Sequence, residues 1–174
     1  MALYEDWRGP VAELRRYVGA PSSDQLKLAE RLAVLVHEDE PFAVLGARLE
    51  ENVQRLIWGR EPSRPASDRQ IGYLRSLLPD VVERHQLTLK EASAWISYAL
   101  SLRTIEALER LHLRTGDEVV HRRHWRDPAA GETRTIDLQR VVSTIRGDGL
   151  VFFRGGNGQC APATSIVILS KLAS

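Results

Sequence analysis

The stretch from Gly147 to Leu169, Gly-Asp-Gly-Leu-Val-Phe-Phe-Arg-Gly-Gly-Asn-Gly-Gln-Cys-Ala-Pro-Ala-Thr-Ser-Ile-Val-Ile-Leu, constrains the fold more tightly than any other part of the chain. Its apolar runs are short and β-branched or aromatic. They are separated by Gly147-Asp-Gly149 and Gly155-Gly-Asn-Gly158, which supply the positive φ that tight hairpins need. Such a segment reads as short β-strands punctuated by tight turns. The residues before 112 read mostly as helix, so the chain changes fold class partway along.

The helical part carries clear start and stop signals. Gly9-Pro10 opens a first helix, with Val11, Leu14, Tyr17 and Val18 at helical spacing and Gly19 as its stop. Ser22 with Gln25 forms a capping box. It opens a second helix whose apolar face runs Leu26, Ala29, Leu32, Ala33 and Val36, until Glu38-Asp39-Glu40-Pro41 breaks it. A third helix runs from Phe42 to Trp58. Gly59 to Ala66 reads as a linker, because Pro62 and Pro65 exclude helix. Ser67 with Gln70 and Thr88 with Glu91 make two more capping boxes. The first precedes Ile71, Leu74, Leu77 and Leu78, with Pro79 marking an end or bend. The second opens a long helix from Leu89 to Arg110. At an offset of 45, Ser22, Gln25, Leu26 and Leu32 fall on Ser67, Gln70, Ile71 and Leu77. Two stacked, repeated helix pairs account for this match, and so does the small vocabulary that all capped amphipathic helices share.

From Leu113 the period changes from helical spacing to alternation. Gly116-Asp117 is a turn, Glu118 to Trp125 a strand, and Asp127 to Gly131 a loop. Thr133 to Ile145 is dense in β-branched residues. Leu150 to Arg154, Gln159 to Ala161 and Ile166 to Leu169 read as further strands, with Pro162 to Ser165 forming one helical turn before the last. Five short strands with a turn before the last is the pattern of a small SH3-like barrel. The expected fold is therefore α+β. A helical domain over 1–111, of about five helices with a linker near 59–66, precedes a small β-barrel domain over 112–174.

Charge narrows the function classes. The net charge is +1. Residues 1–111 sum to −2, whereas residues 112–174 sum to +3 and add His112, His121 and His124. This asymmetry permits nucleic-acid contact by the C-terminal part without requiring it. A single cysteine, Cys160, rules out an internal disulfide and points to a reducing compartment. No apolar run is long enough for a membrane span, and the N-terminus lacks the pattern of a signal peptide. No membrane association and a cytoplasmic location are the expectations.

The basic, aromatic-laced strand His121-Arg-Arg-His-Trp-Arg126 is the leading functional patch. Alternation puts His121, Arg123 and Trp125 on one face and Arg122, His124 and Arg126 on the other. Arginine and histidine contact phosphates, and Trp125 offers a surface for an exposed base. Arg134, Arg140, Arg146 and Arg154 extend the patch if the fold gathers them. The competing reading is a solvated strand whose Trp125 covers the barrel core. His121 and His124 are three apart and face opposite ways on a strand, so they chelate poorly. No CxxC or HExxH accompanies them, and no metal or cofactor is expected. The loop 155–158 lacks the Lys-Ser/Thr of a phosphate-binding loop and reads as a hairpin turn. Cys160 matches no catalytic signature and reads as a buried thiol. Tyr17, Trp58, Tyr73 and Trp95 sit at helical apolar spacing and read as core.

Two segments resemble known families. Ser67-Asp-Arg-Gln-Ile-Gly-Tyr-Leu-Arg-Ser-Leu with Leu87-Thr-Leu-Lys-Glu-Ala-Ser-Ala-Trp-Ile96 resembles a helix-pair motif found in bacterial and phage proteins, where it accompanies factors of DNA metabolism. Residues 113–169 resemble SH3-like barrels, which also occur in bacterial DNA- and RNA-associated factors. The helix-pair resemblance implies a nucleic-acid association, while the SH3-like fold hosts peptide binding, nucleic-acid binding and pure scaffolding alike. The expected function is a non-catalytic nucleic-acid-binding or DNA-metabolism accessory protein. The alternative is a protein-interaction adaptor that uses the barrel or a helical groove.

Overall fold

The computed structural model describes residues 2–61, 63–84, 86–126 and 131–168. Pro62 of the expected linker, the loop positions 127–130 and Leu169 lie outside the described residues. By chain contacts the protein divides into two compact units, 1–14 with 103–174, and 15–102. The boundary at 111/112 read from the sequence pattern falls inside the first of these.

Unit 15–102 is helical. α2 (Ser23–Arg31) starts where the capping box places it: Ser22 Oγ accepts from the Gln25 N–H and Gln25 Oε1 accepts from the Ser22 N–H. Such a cap is worth about 1 kcal/mol. The helix ends at Arg31, short of the expected Val36. The Val34 N–H bonds to Ala29 O and the Ala33 N–H to Glu30 O, with Ala33 at φ 51°. This is a Schellman stop with alanine in the place glycine usually takes, which left no signal in the sequence. Leu32, Val34 and Val36 still pack on Ala29, Leu45 and Leu49. They do so from non-helical backbone. α3 (Phe42–Trp58) ends at the left-handed Gly59. α4 (Asp68–Leu77) starts at the Ser67 box. Pro79 begins a further short helix, α5 (Pro79–Arg84), since proline suits a first helical turn. α6 (Leu89–Leu111) opens at Thr88, whose N–H donates to Glu91 Oε2.

The two helix pairs follow one plan. Gln25 Nε2 reaches from α2 to Phe42 O, the first residue of α3. Gln70 Nε2 reaches from α4 to Leu89 O, the first residue of α6, and to Ser93 Oγ. The core residues correspond too. Ala29, Leu45 and Leu49 in one pair stand where Leu74, Ala92 and the partly buried Ile96 stand in the other. Any two helices can share a cap. A shared bridge between different helices is a tertiary feature, and it raises the sequence match above common vocabulary. Tyr17 and Trp95 are half-buried. Trp58 and Tyr73, expected in the core, are exposed at 62% and 47%. Trp58 lies in the last turn before Gly59, where α3 ends, and there it packs against the Arg60 guanidinium.

The other unit is a sheet with helical segments from α1 (Arg8–Val18) and α6. β2 (Glu118–Arg126), β3 (Thr133–Arg146), β4 (Leu150–Phe153), β5 (Cys160–Pro162) and β6 (Ile166–Ile168) run in the spatial order β5-β4-β3-β2-β6. A strand the sequence pattern did not signal, β1 (Leu3–Tyr4), pairs with β3 at Ile145 and Arg146. All pairings are antiparallel. The sheet is open: β5 and β6 are its two ends and do not pair among the described residues. The closed barrel expected from the turn spacing is not what these strands form. A one-turn 3₁₀ helix, Ala163–Ser165, separates the two end strands and sends β6 across to β2.

β3 bends where its register shifts between Val142 and Thr144. Ser143 is the inserted residue, and its carbonyl accepts from Thr115 Oγ1. The bulge changes the alternation phase, so Val142 and Ile145, three apart, are both fully buried. The hairpin after β3 turns on Gly149 at φ 82°, where a Cβ would lie 2.1 Å from Thr104 Cγ2 of α6. Only glycine fits there.

Candidate functional site

β2 and β3 pair along their lengths, from Glu118 opposite Val141 to Arg126 opposite Thr133. Among the described residues, β6 covers the outer edge of β2 at 119–121 and β4 flanks β3 at 142–145, and no further. Residues 122–126 with 133–137 therefore form a two-stranded ribbon beyond the rest of the sheet. Both of its faces are solvent-facing, and charged side chains on such bare edges oppose edge-to-edge aggregation.

Directly opposed residues share a face. One face carries Arg123, Trp125, Arg134 and Ile136, and continues into His121, Leu138 and Arg140 at the ribbon base. Among the described residues, no ladder position of this face from Val119 to Trp125 or from Arg134 to Arg140 is a carboxylate. Trp125 is 44% exposed and Ile136 47%. The Arg134 guanidinium sits over the Trp125 ring, 6.0 Å from its centroid. Arg123 is exposed and has no ion-pair partner among the described residues. Arg140 donates to neutral acceptors, Gln139 O and Gln159 Oε1. The His121 ring stacks on Phe153 at 5.7 Å. Burial, with the nearby Arg123 and Arg140 charges, holds its pKa below the usual histidine value. His121 therefore contributes a neutral aromatic surface at pH 7.

The opposite face carries an ion pair. Arg122 Nε and Nη2 donate to the two carboxylate oxygens of Asp137, both at 2.9 Å. The Arg122 hydrogen bond and charge hold the Asp137 carboxyl below its usual range, and Asp137 in turn raises Arg122. His124 Nδ1 meets Thr135 Oγ1, and Arg126 Nε donates to Gly131 O. The strand's six expected site residues thus divide by face, as alternation predicts. Asp137, Ile136 and Leu138 were not singled out from the sequence. The alternation Arg134, Ile136, Leu138, Arg140 is legible there, but the register that sets it against β2 is not.

Arg140 and Arg154 meet at a separate depression of about 300 Å³, lined also by Glu118, Gln139 and Val141. Arg146 is committed to Asp148 at the hairpin, at 2.9 and 2.6 Å. No protein-family model, curated protein or solved structure matches this chain. His121 and His124 face opposite ways, and no three of His, Cys, Asp and Glu converge as a metal set among the described residues. Cys160, expected buried, is exposed on the end strand β5. Short end strands bury every second residue, and here the buried one is Ala161.

The helical unit holds a larger cleft, about 450 Å³, lined in part by Val44, Leu87 and Trp95. Its polar floor is an ion cluster. Arg48 Nη1 donates to both oxygens of Glu40, whose side chain is 1% exposed, and Arg48 Nε lies 3.2 Å from Glu91 Oε1. Arg48 and Trp95 occupy equivalent positions in the two helix pairs, as do Val44 and Glu91. These charges satisfy one another, as buried ions must.

Proposed function

We propose that this chain is a non-catalytic nucleic-acid-binding protein, an accessory of DNA metabolism, and that the β2–β3 ribbon is its contact surface. The observation carrying this reading is that the register places Arg123, Arg134 and Arg140 on one face of the ribbon with an exposed Trp125. Phosphate oxygens accept from guanidinium donors bidentately, and released counterions drive the association. Arg122 belongs to the strand but its charge is spent on Asp137, so phosphate contact falls to the face bearing Arg123. The SH3-like reading of the sheet unit fits the strand order and the 3₁₀ turn before β6, and the helix-pair resemblance over 67–96 points the same way.

The test is a fluorescence anisotropy titration of labelled oligonucleotides with the full chain at low and at physiological salt. Binding at low salt that weakens steeply with added salt supports the reading. Absence of binding to any oligonucleotide at low salt refutes it and leaves the adaptor alternative.

A further inference from the structure

Resting on the nucleic-acid reading, we infer that the partner is single-stranded, held by bases stacked on Trp125 while phosphates run along Arg123, Arg134 and Arg140. Three features of the ribbon point to this ligand class. First, the arginine face is not simply cationic. Trp125 and Ile136 lie exposed between the guanidinium groups, close to half their surface in water. Base faces are buried inside a duplex and available in a single strand, so an exposed indole flanked by arginines is matched by an unstacked base. Second, Arg134 already lies over the Trp125 ring. It braces the indole from one side, so the ring is held for a base on the other. Third, the face is long and one-sided. From Arg134 to Arg140 it runs roughly 20 Å at about 3.3 Å per residue, enough for a short extended strand. A ribbon laid in a duplex major groove has phosphates on both flanks. This one would bring the Asp137 carboxylate near one of those rails, with Arg122 already used to balance it.

Equilibrium titration should use oligothymidylate, oligouridylate and a hairpin duplex with the same number of phosphates, at one low salt concentration. The expected result is single strands bound about tenfold or more tightly than the hairpin. DNA and RNA strands should bind alike, since stacking does not read the 2′-hydroxyl. Trp125→Ala should weaken single-strand binding roughly five- to a hundred-fold and leave hairpin binding unchanged. Trp125→Phe keeps a ring and should restore most of the loss. That recovery separates stacking from damage to the ribbon, and an unchanged melting temperature for both variants confirms it. A hairpin bound as tightly as the single strands overturns the inference while keeping the nucleic-acid reading. So does a Trp125→Ala loss that is equal on both, or absent. Failure of all three probes to bind overturns the nucleic-acid reading itself.

Discussion

Neighbouring residues on β2 offer a sharp test, because Arg122 and Arg123 differ in face rather than in chemistry. Each single-strand phosphate neutralised contributes about −0.7 to the slope of log K against log salt. Three arginines acting together give a slope of about −2, a loss of about 20-fold in affinity between 50 and 200 mM salt. Arg123→Ala removes one contact, so its slope should be shallower by about 0.7. Arg122→Ala removes a guanidinium whose Nε and Nη2 are bound to Asp137 at 2.9 Å on the opposite face. Side chains on opposite faces point away from each other, and salt screens what remains within about 10 Å at 0.1 M. Its slope should stay within a third of the Arg123→Ala change. The assay is anisotropy with one labelled oligonucleotide across a salt series, comparing slopes rather than affinities at one condition. Equal slope changes in the two variants would refute the assignment of faces, and a larger change for Arg122→Ala would reverse it.

Other predictions concern the frame. Arg48→Met leaves the Glu40 carboxylate buried with no counter-charge, and should cost about 3–5 kcal/mol in urea unfolding; a cost under about 1 kcal/mol would show that water reaches the cluster. Gly149→Ala combines a positive φ with a 2.1 Å approach to Thr104, whereas Gly155→Ala has a positive φ and nothing within 4 Å. The first should cost about 2–4 kcal/mol and the second about 1 kcal/mol, read as melting-temperature shifts of about 2–4 °C per kcal/mol. The lowered pKa of His121 means that the unfolded chain takes up its proton first as pH falls. The stability this provides is fully present above about pH 6.5 and is lost as pH drops from there through the folded-state value. His121→Phe should flatten the fall in urea midpoint between pH 7.5 and 5.5, and an unchanged pH dependence would contradict the assignment.

The sequence was most legible where one short segment settles the geometry. The Ser22, Ser67 and Thr88 boxes mark three helix starts, and Gly147 to Gly149 marks a hairpin. It was least legible where distant segments decide. The α2 stop uses Ala33, whose left-handed conformation is stabilised by Val34 packing rather than by residue type. β1 is two residues long and exists only because β3 offers an edge. Trp58 and Tyr73 have helical spacing suited to a core, but exposure depends on where each helix ends and what covers it. For the candidate site, alternation assigned His121 to Arg126 to their faces. Which face keeps its charge depends on Asp137, which is placed opposite Arg122 by the register alone.

On the proposed function, one face of the ribbon, rather than arginine content in general, binds nucleic acid. That is tested most directly by comparing two triple variants of equal charge change, Arg123, Arg134 and Arg140 to Ala, and exposed Arg55, Arg69 and Arg75 of the helical unit to Ala. The ribbon variant should lose nearly all oligonucleotide binding at physiological salt with its melting temperature retained, while the helical variant should bind like the parent. Equal loss in both, or loss in the helical variant alone, would contradict it.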